Sequence, residues 1–506
     1  MKVLVDKHHK VEILLIAEGT YPYVRGGVAS WIHELIGGLP EFKFGLIFLG
    51  GRKEDYGDIR YELPENLVYL GVAYLFEDRK RPSPRYISKK KKAFDIIEKI
   101  HWDFKRGSER IVDEVLNPNF FINTIKYEDF LYHKQSWEHI VSMYTRYAPE
   151  EPFVDYFWNI RNLHAPLWVV SKIASNVCDF GLVHSPSTGY GGLLASMLKT
   201  SRKKPFILTE HGIYTRERKI DLFNADWLAD TRSFINKRLG ELSHNRTIWI
   251  NFFFHIGKAI YSKADLIISL FEDARKIQIS YGAEPEKCQV LPNGVEIKVY
   301  EEALNKRPEF VPKVIGLIGR VVSIKDIKTF IKAMKILIEK VPDAQGWIVG
   351  PTDEEPNYYE ECLELVRALG LEKNVIFLGF RKVSDILPSI GVLTLTSISE
   401  GMPLVVLEGF AAGVPCVSTD VGSCRQLIYG GLNEEDIALG KAGEVTPIAD
   451  VDALAESYAK LLTDQELWKG YQKTALERVK KFYSMEMFLE NYRKIYKRFL
   501  YGRNLS

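Results

Sequence analysis

Short runs of consecutive apolar residues recur along this chain, and each is followed by a turn rich in Gly, Pro, Ser or Asn and then by a helical pattern. Because the runs are continuously apolar rather than alternating, they predict strands buried on both faces, as in parallel α/β sheets. In the first half these runs are Val11–Ala17, Phe44–Leu49, Gly181–His184, Phe206–Glu210 and Leu266–Leu270. In the second half they are Val314–Leu317, Gly346–Val349, Val375–Leu378, Val392–Thr396 and Pro415–Ser418. The sequence therefore predicts two successive α/β units.

A charged, proline-containing segment, about Glu301–Lys313, separates the two series of strands and is the natural linker. At 506 residues the chain is long enough for more than one hydrophobic core. We predict a first domain over residues 1–305, a second over 306–480 and a closing segment over 481–506. The closing segment has apolar and aromatic residues at helical spacing, so it is predicted to form a terminal helix that covers another surface.

One region, about residues 74–162, interrupts the alternation of strands and helices in the first domain. It is charged, aromatic and predicted to be helical, and near its start stands the mostly basic run RKRPSPRYISKKKK, which contains no acidic residue. A charge run of this kind is typical of a solvated, mobile loop that leads into a helix. The alternative is a docking surface for a partner, an anionic acceptor or the inner face of a membrane.

Composition excludes several classes of function. The 68 basic and 66 acidic residues leave a net charge of +2, so no global field favours nucleic acid. The 5 cysteines are scattered and show no C-x-x-C spacing, which argues against a disulfide framework or a structural zinc and favours a reducing cytosol. No apolar run reaches the roughly 18–20 residues that a membrane span needs. We predict a cytoplasmic protein that must be recruited if it works at a membrane.

The stretch SISEGMPLVVLEGFAAGVP, Ser397–Pro415, places two glutamates around an apolar run. We interpret Pro403 as the first residue of a helix, which puts Glu400 in the preceding loop and Glu408 in the second turn. Backbone N–H groups at such a helix start form an anion site. A sugar nucleotide would pair its hydroxyls with the carboxylates and its diphosphate with the amides. Taken singly, Glu400 reads as an ordinary helix-start acid, and Glu408 could pair with a basic residue.

Two further turns carry candidate binding groups. In GLIGRVVSIKDIKTFIKA a strand ends at Gly319, and Arg320 and Lys325 project from the turn, where ligand phosphates usually lie in α/β units. In AEGTYPYVRGGVASWIHEL the pair Gly26–Gly27 begins a helix and would let backbone amides approach a ligand. That pair alone is weak evidence, and it is not a G-x-G-x-x-G fingerprint.

The stretches GLVHSPSTGYGG and FILTEHGIYTRERK place polar side chains at or beyond strand ends. Those singled out are His184, Thr188, Gly189, His211 and Tyr214. A histidine in such a position is more often a structural hydrogen-bonding group than a catalyst. His211 is the better catalytic candidate because a glycine and a basic loop follow it.

The combination GR-x(4)-K at Gly319–Lys325 and E-x(7)-E at Glu400–Glu408, with GGV and EHG earlier in the chain, resembles the retaining GT-B glycosyltransferases of family four. More narrowly, AEGTYPYVRGGVASWIHELI, the long insertion and LTEHGIYTRERK resemble the PelF-like glycosyltransferases of Pel exopolysaccharide biosynthesis. The resemblance implies an α/β GT-B fold with two Rossmann-like doubly wound domains facing a cleft. The first would be the acceptor domain and the second the nucleotide-sugar domain, with a C-terminal helix crossing back.

The resemblance also implies roles for individual residues. Arg320 and Lys325 would neutralise the donor diphosphate, which explains why no D-x-D metal motif is needed and no metal or other cofactor is expected. Glu400 would hold hydroxyls of the donor sugar, Glu408 the ribose, and His211 would lie near the sugar. The remaining binding positions would be Gly26, Gly27, Gly319, Gly401, Met402, Pro403 and Leu404.

The function implied is transfer of a hexose or N-acetylhexosamine from a UDP-sugar to a growing exopolysaccharide, by a cytosolic subunit of a membrane synthase. Glucose, N-acetylglucosamine and N-acetylgalactosamine all fit as the donor sugar. Three alternatives stay open: a glycogen- or starch-synthase-like ADP-glucose transferase, a sugar-nucleotide epimerase, and a non-catalytic nucleotide-binding scaffold of a polysaccharide synthase. A Rossmann dehydrogenase is disfavoured because its glycine fingerprint is absent.

Overall fold

The computed structural model describes residues 1–76, 90–106, 113–224, 228 and 242–502. Most of the predicted basic run, from Arg79 to Lys89, therefore lies outside the described residues. The chain divides into two compact units by its internal contacts. The first unit comprises Met1–Ile268, Ile277–Gln289 and Arg493–Ser506, and the second comprises Ser269–Lys276 and Val290–Tyr492.

The first unit is built on a sheet whose strands, within the described residues, are β1 (Lys2–Asp6), β2 (Val11–Glu18), β3 (Phe44–Gly50), β4 (Leu67–Tyr74), β5 (Phe180–Ser185), β6 (Phe206–Glu210), β7 (Leu266–Ser269) and β8 (Cys288–Val290). Their order is β1-β4-β3-β2-β5-β6-β7-β8. The pairings of β2 with β3 and β5, of β3 with β4 and of β5 with β6 are parallel, and β1 is antiparallel to β4. Ile13 to Ala17 of β2 are fully buried, as expected for a central strand covered on both faces.

Helices pack on this sheet and extend the first core. They are α1 (Gly27–Gly38), α2 (Lys91–Arg106), α3 (Tyr127–Tyr132), α4 (Lys134–Tyr147), α5 (Phe153–Ser175), α6 (Tyr190–Arg202), α7 (Tyr214–Asn224), α8 (His244–Lys263) and α9 (Glu272–Ser280). Four of them, α2 to α5, carry the described part of the predicted insertion. The ring of Phe130 stacks on Trp168 at 4.8 Å, so the insertion belongs to the same hydrophobic core as the sheet.

The described end of the basic run does not behave as a wholly solvated loop. Lys90 forms an ion pair of 2.6 Å with the buried carboxylate of Asp129 and donates to the carbonyl oxygen of Thr124 at 3.0 Å. These bonds hold the start of α2 against α3. Lys91 and Lys92 are exposed on the first turn of α2.

The second unit has a sheet of β9 (Val314–Ile318), β10 (Gln345–Val349), β11 (Val375–Gly379), β12 (Val392–Leu395), β13 (Cys416–Thr419) and β14 (Gly443–Thr446), in the order β11-β10-β9-β12-β13-β14. All of its strand pairings are parallel. The helices that follow are α10 (Lys298–Asn305), α11 (Ile327–Lys340), α12 (Pro356–Ala368), α13 (Val383–Ile386), α14 (Leu404–Ala411), α15 (Cys424–Tyr429), α16 (Glu434–Ala438), α17 (Val451–Thr463), α18 (Gln465–Phe482) and α19 (Met485–Tyr501). Each unit therefore has the Rossmann-like arrangement of a parallel sheet with helical connections.

A buried ion pair ties two helices of the second unit together. The Arg478 guanidinium on α18 bonds to the Asp436 carboxylate of α16 at 2.6 Å, and both side chains are fully buried. Arg478 also donates to the carbonyl oxygens of Leu427, Ile428, Asp436 and Gly440. The backbone N–H groups of Gly431 and Leu432 donate to the other oxygen of the Asp436 carboxylate and complete its hydrogen bonding. The pair is fully hydrogen-bonded, as a buried charge requires.

The boundary between the two compact units along the chain differs from the predicted domain boundary at residue 305. It assigns α10 to the second unit, because α10 packs against α13 and α14. The last residues, from Arg493 onward, count with the first unit, where Arg493 pairs with Glu41 at 2.5 Å and Tyr501 donates to Glu12 at 2.7 Å. Over the described ranges, no helix combines the length and apolarity that crossing a bilayer requires.

Candidate functional site

Two loops meet at the carboxyl edge of the second sheet, because β9 and β12 are parallel neighbours. The loop after β9 carries Lys325, and the loop after β12 carries Glu400. Lys325 Nζ lies 2.5 Å from Glu400 Oε1, and the hydroxyl of Ser397 donates to the same oxygen at 2.6 Å. The loops are also joined through their backbones, since Ile398 N–H donates to Ile324 O at 2.9 Å. The structure thus brings together two residues that the sequence analysis singled out separately.

The Lys325–Glu400 pair is largely shielded from solvent, with side-chain exposures of 21% and 13%. A third loop, after β13, closes over it. Gly422 has a φ of +53°, and a Cβ there would come within 2.3 Å of the carbonyl oxygens of both Glu400 and Gly401. Only glycine allows this approach, so the Glu400 loop is held at a fixed position by its neighbour.

Arg320 lies on the same edge of the sheet but has a different partner. Its guanidinium pairs with Glu354 in the loop after β10, with 2.6 Å between Nη1 and Oε2, and about half of each side chain is exposed. Arg320 is therefore accessible to a ligand at the cost of a weak surface ion pair. Sequence reasoning missed Glu354, which stands in a polar, acidic loop without a distinguishing pattern.

Helix α14 begins at Leu404, one residue later than predicted. Pro403 is its N-cap, with φ −73° and ψ 108°, an extended conformation. The difference has a simple reason: a proline lacks the N–H group at either position, and its fixed φ suits both. Gly401 and Met402 precede the cap, and the buried Met402 sulfur accepts from Asn293 N–H at 3.3 Å.

Glu408 lies in the second turn of α14, as predicted. Burial raises the pKa of its carboxyl, and a hydrogen bond with the side chain of Tyr300 on α10 opposes that rise. The structure thus gives this glutamate a tyrosine hydroxyl as its partner within the chain. A buried group of this kind is expected to be either a neutral carboxylic acid or a hydrogen-bonded carboxylate.

In the first unit, the glycine pair stands where predicted, at the start of α1. Gly26 is the N-cap and Gly27 the first helical residue, and both are exposed. Among the described residues, apart from the chain neighbours, no heavy atom lies within 4 Å of a Cβ built at either position. The described part of the chain therefore does not require glycine there by crowding.

The carboxyl ends of β2, β5 and β6 gather a second polar cluster, centred on Glu210. Its carboxylate accepts from the hydroxyls of Thr188 at 2.9 Å and Tyr261 at 2.7 Å. The Tyr214 N–H at 3.1 Å and the Gln278 amide at 2.9 Å complete the set. Burial raises the pKa of Glu210 even though all of these donors favour the charged form. Four donors from different elements fix the turn that carries His211.

Glu18, at the end of β2, continues this cluster. It accepts from the Tyr214 hydroxyl at 2.9 Å and from Gly191 N–H at 2.8 Å, and Arg218 Nε donates to the Tyr214 hydroxyl at 3.1 Å. A Cβ at Gly189 would come within 2.4 Å of the Tyr214 ring and 2.5 Å of the Glu18 carboxylate, so the close approach needs glycine. Sequence reasoning missed Glu18, although an acid ending a buried strand was an available signal.

The two candidate histidines differ in their surroundings. His184 bonds through Nδ1 to the Tyr496 hydroxyl at 2.8 Å and through Nε2 to the Thr209 hydroxyl at 2.9 Å, so it is a structural residue. His211 lies edge-on to Trp31 at 4.7 Å, and its Nε2 is buried with no partner in the described chain. Burial lowers the pKa of His211 to about 3, which makes it a neutral imidazole at physiological pH.

A cavity of about 1020 Å³ opens beside this cluster, within the first unit. Its lining includes the polar residues Glu18, Thr20, Ser187, His211, Glu217 and Arg218. Aromatic side chains form much of the rest, including Tyr132, Phe157, Trp158, Tyr190, Trp249 and Phe253. Three of these aromatic residues, Tyr132, Phe157 and Trp158, come from the insertion. Within the described ranges, no group of three or more His, Cys, Asp or Glu side chains is placed to hold a metal ion.

Residues 11–286 match the family described as "Domain of unknown function (DUF3492)", and residues 312–464 match "Glycosyl transferases group 1". The chain is 29% identical over 200 residues to the UDP-Gal:alpha-D-GlcNAc-diphosphoundecaprenol alpha-1,3-galactosyltransferase of Escherichia coli, covering 36% of this chain and 47% of that protein. It is also 29% identical over 185 residues to the N-acetyl-alpha-D-glucosaminyl L-malate synthase of Bacillus anthracis, covering 36% and 45%. The matched segment thus spans about half the length of these curated relatives.

Solved structures match nearly the whole chain. HepE from Anabaena, in complex with UDP, has a TM-score of 0.59 at 14% identity, covering 96% of this chain and 99% of that one. The sucrose-phosphate synthase of Thermosynechococcus elongatus has a TM-score of 0.57 at 15% identity, covering 97% and 99%. At such identities the likeness is one of fold. It confirms the predicted α/β GT-B class with two Rossmann-like sheets.

Proposed function

Because the chain belongs to the DUF3492 family and continues into a group 1 glycosyl transferase domain, we propose that it is a retaining, UDP-sugar-dependent glycosyltransferase. The sugar, a hexose or N-acetylhexosamine, would be added to a growing exopolysaccharide of the Pel type. In this proposal the protein is a cytoplasmic catalytic subunit, recruited to a membrane synthase. The names of the relatives support the reaction class, and the HepE complex with UDP supports the choice of nucleotide.

The observation that carries the proposal is the Lys325–Glu400 contact of 2.5 Å at the carboxyl edge of the second sheet. A sugar diphosphate has a doubly charged group beside a ring of hydroxyls, and this site offers a cation beside a hydroxyl-accepting carboxylate. In α/β sheets, ligands bind at this edge of the strands. When the donor binds, the Lys325–Glu400 ion pair would open, and the two side chains would instead contact the phosphates and the sugar hydroxyls of the donor.

Catalysis in the proposed enzyme rests on charge stabilisation. When the bond from the anomeric carbon to the phosphate oxygen breaks, its electron pair goes to the departing diphosphate, and the sugar gains oxocarbenium character. Lys325 and Arg320 stabilise the phosphate charge more in the transition state than in the ground state. The acceptor hydroxyl attacks the same face and gives its proton to the departing phosphate oxygen. Glu400 orients the sugar and is not assigned as a nucleophile.

The remaining residues have supporting roles in the proposal. The N–H groups of Gly401, Met402 and Leu404 would bind the phosphates around the α14 N-terminus, and Glu408 with Tyr300 would bind the ribose. Gly319 would leave room for the diphosphate, and Pro403 would hold the loop as the helix cap. Gly26, Gly27 and His211 in the first unit keep the roles at the diphosphate and the sugar that the resemblance implies. No metal cofactor is invoked, since two side-chain cations supply the counter-charge.

Calorimetric titration of UDP and ADP tests the donor site. Replacing Lys325 with alanine removes a charge-assisted hydrogen bond worth about 1.5–3 kcal/mol, so UDP affinity should fall by about 10- to 150-fold. Lys313→Ala is the matched control, because Lys313 also pairs with a carboxylate, Asp343 at 2.7 Å, but at the opposite edge of the same sheet. Equal UDP affinity in both variants and the parent would remove the basis of the proposal.

A further inference from the structure

The insertion exposes large apolar side chains on two neighbouring helices. Trp137 on α4 is 50% exposed, and Val154 and Trp158 on α5 are 64% and 52% exposed. Val154 and Trp158 are one turn apart, so they lie on one face of α5. Single exposed apolar residues are common on protein surfaces, whereas a contiguous apolar patch marks an interaction site. What lies between these three side chains therefore decides what they mean.

Half-buried rings join these side chains into one surface. The ring of Trp137 lies 5.7 Å from that of Phe153 and 6.0 Å from that of Phe157, measured between centroids. Phe153 and Phe157 stand directly before Val154 and Trp158 along α5, so the two pairs form neighbouring rows on that helix. The name aromatic face is used below for the surface formed by Trp137, Phe153, Val154, Phe157 and Trp158. It is a contiguous patch on α4 and α5.

The aromatic face has a fixed support. The Tyr144 hydroxyl on α4 donates to the Glu151 carbonyl oxygen at 2.9 Å, which ties the end of α4 to the start of α5. The buried Arg161 of α5 donates to the Leu131 carbonyl oxygen of α3 at 3.0 Å, and its guanidinium lies over the Phe157 ring at 5.2 Å. The helices cannot rotate to bury the rings without breaking these bonds. The folded protein therefore presents the aromatic face to its surroundings.

Cations stand beside the aromatic face. The Phe94 ring of α2 lies 4.9 Å from that of His133, the N-cap of α4, so the first turn of α2 is next to the start of α4. That turn carries the exposed Lys91 and Lys92, and α4 begins with Lys134, whose side chain is 86% exposed. The aromatic face starts one turn further along α4. Exposed cations and exposed tryptophans therefore lie within a few helical turns of one another.

These cations end a longer basic run. RKRPSPRYISKKKK finishes in the first turn of α2, and eight of its fourteen residues are basic while none is acidic. Its end is anchored by Lys90, which pairs with Asp129 of α3 at 2.6 Å. Two carboxylates one turn along the helices, Asp95 and Glu138, are exposed, and surface pairs such as Lys134–Glu138 at 3.3 Å contribute little. A strongly basic segment thus ends beside the aromatic face and favours an anionic surface.

One occupant must match both the rings and the cations. An acidic peptide would pair with the lysines but leave the two indole rings in water, and an apolar peptide would cover the rings but gain nothing from the lysines. An anionic bilayer matches both, because tryptophan side chains favour the headgroup region and lysines are attracted to lipid phosphates. Tryptophans combined with cations are typical of a surface that lies on a membrane.

We propose that the aromatic face, with Lys91 and Lys92 beside it, binds the surface of an anionic phospholipid bilayer. Trp137 and Trp158 enter the headgroup region, and the lysines pair with lipid phosphates. This inference goes beyond the proposed function, in which recruitment rests on a synthase, because it gives the chain a contact with the lipid itself. Vesicle binding needs neither a sugar donor nor an acceptor, so it succeeds or fails independently of glycosyl transfer.

Co-sedimentation of the full chain with vesicles measures this contact. The vesicles are phosphatidylcholine alone or a mixture of phosphatidylcholine and phosphatidylglycerol, and tryptophan emission is recorded on the same samples. We expect the mixed vesicles to bind about tenfold more tightly, with a preference that falls as salt is added and an emission shift to shorter wavelength. Absence of binding to the mixed vesicles, or equal binding to both kinds, overturns the proposal.

The double change Trp137→Ser with Val154→Ser tests the apolar part, since neither residue lines the cavity of the first unit. It should weaken binding to the mixed vesicles by about tenfold, because apolar contact with the bilayer is lost. The unfolding temperature should not fall, since both side chains are exposed in the free protein. Phe310→Ser is the matched control, because Phe310 is 67% exposed in the second unit. Unchanged vesicle affinity in the double variant, or an equal loss in the control, overturns the assignment of the aromatic face.

Lys91→Gln with Lys92→Gln tests the charge. The preference for mixed vesicles should fall by about tenfold while binding to phosphatidylcholine stays the same, since each lysine near an anionic surface adds to the attraction. Lys332→Gln with Lys340→Gln is the matched control and removes the same charge from exposed positions on α11. An equal fall in both pairs overturns the role of this face. UDP titration is a separate measurement, so a failed donor site leaves the vesicle result standing, and the reverse also holds.

Discussion

Three neighbouring histidines in and next to the insertion contribute to the acid sensitivity of the first unit. His101 on α2 lies 5.6 Å from His139 on α4 and 5.2 Å from His164 on α5, measured between ring centroids. His164 Nδ1 donates to the Ile160 carbonyl oxygen at 2.9 Å, so Nε2 carries no proton. That Nε2, the His139 Nδ1 and both nitrogens of His101 are buried without a partner in the described chain. The perturbation we consider is a fall in pH from 7 to 5.5.

The sign and size of the change in folding stability follow from the pKa values of these histidines. Burial lowers the pKa of His139 and His164 to about 4, and that of His101 well below its usual value. The charged groups that face them, Lys105 and Arg161, are cations that act in the same direction. The unfolded chain takes up protons below about pH 6.5 while the folded chain does not, so stability is full above that pH and is lost as pH falls toward 4. From pH 7 to 5.5 the loss is about 1.2 kcal/mol for each of His139 and His164.

The assay is thermal unfolding followed by tryptophan fluorescence at pH 7 and pH 5.5. The other buried histidines of the unit titrate in the same direction, so the share of His164 is what can be isolated: about 1.2 kcal/mol, or about 2 °C in the unfolding temperature of a unit of this size. His164→Asn keeps a donor for Ile160 and removes one titrating group, so between the two pH values its unfolding temperature should fall by about 2 °C less than that of the wild type. His8→Asn, at a side chain that is 91% exposed, is the control. An identical pH dependence in wild type and His164→Asn would refute the reasoning.

Three further outcomes follow from the second unit. Arg478→Met leaves Asp436 buried with only its backbone donors and should lower the free energy of unfolding by about 3–5 kcal/mol in urea titrations. Adding Asp436→Leu should recover part of that loss. An unchanged free energy of unfolding in Arg478→Met would contradict this role of the ion pair. Gly422→Ala should displace the Glu400 loop and reduce UDP-sugar turnover at least tenfold, measured by UDP release, and normal turnover would show that the loop has room. Turnover should survive an excess of EDTA, because Lys325 and Arg320 supply the counter-charge, and a loss restored by a divalent cation would argue for a bound metal.

Most of the strands that the sequence predicted are buried on both faces, so their apolar runs are continuous; the exceptions are β11, a predicted edge strand that is mostly half-buried, and β4, which is buried but was not predicted. β2 and β6 are examples of the buried kind, and both extend within one residue of the predicted bounds. β1 was missed because it is an edge strand with four exposed residues out of five, so it lacks the long apolar run of a buried strand. β14, with the sequence GEVT, is short and partly polar, and its strand conformation comes from pairing with β13 rather than from its own residues.

The candidate site was predictable as separate pieces but not as an arrangement. Glu400 and Lys325 could be assigned to loops at strand ends, yet their contact depends on β9 and β12 being neighbours although two strands intervene along the chain. The partner of Glu408, Tyr300, lies on a helix that the sequence assigned to the other domain. The unpaired Nε2 of His211 cannot be read from the sequence, because it is defined by the lack of a partner beside it in the described part of the fold.

The Lys325–Glu400 pair has a consequence for the direction of the proposed reaction. A UDP-sugar would engage both members, the phosphates with Lys325 and the sugar hydroxyls with Glu400. UDP, the product that remains after transfer, would draw Lys325 away and leave Glu400 shielded from water without a cation. The protein would regain that pairing only by releasing UDP. The site would thus hold the donor more tightly than the spent nucleotide, and product release would be favoured by the resting geometry of the same two side chains.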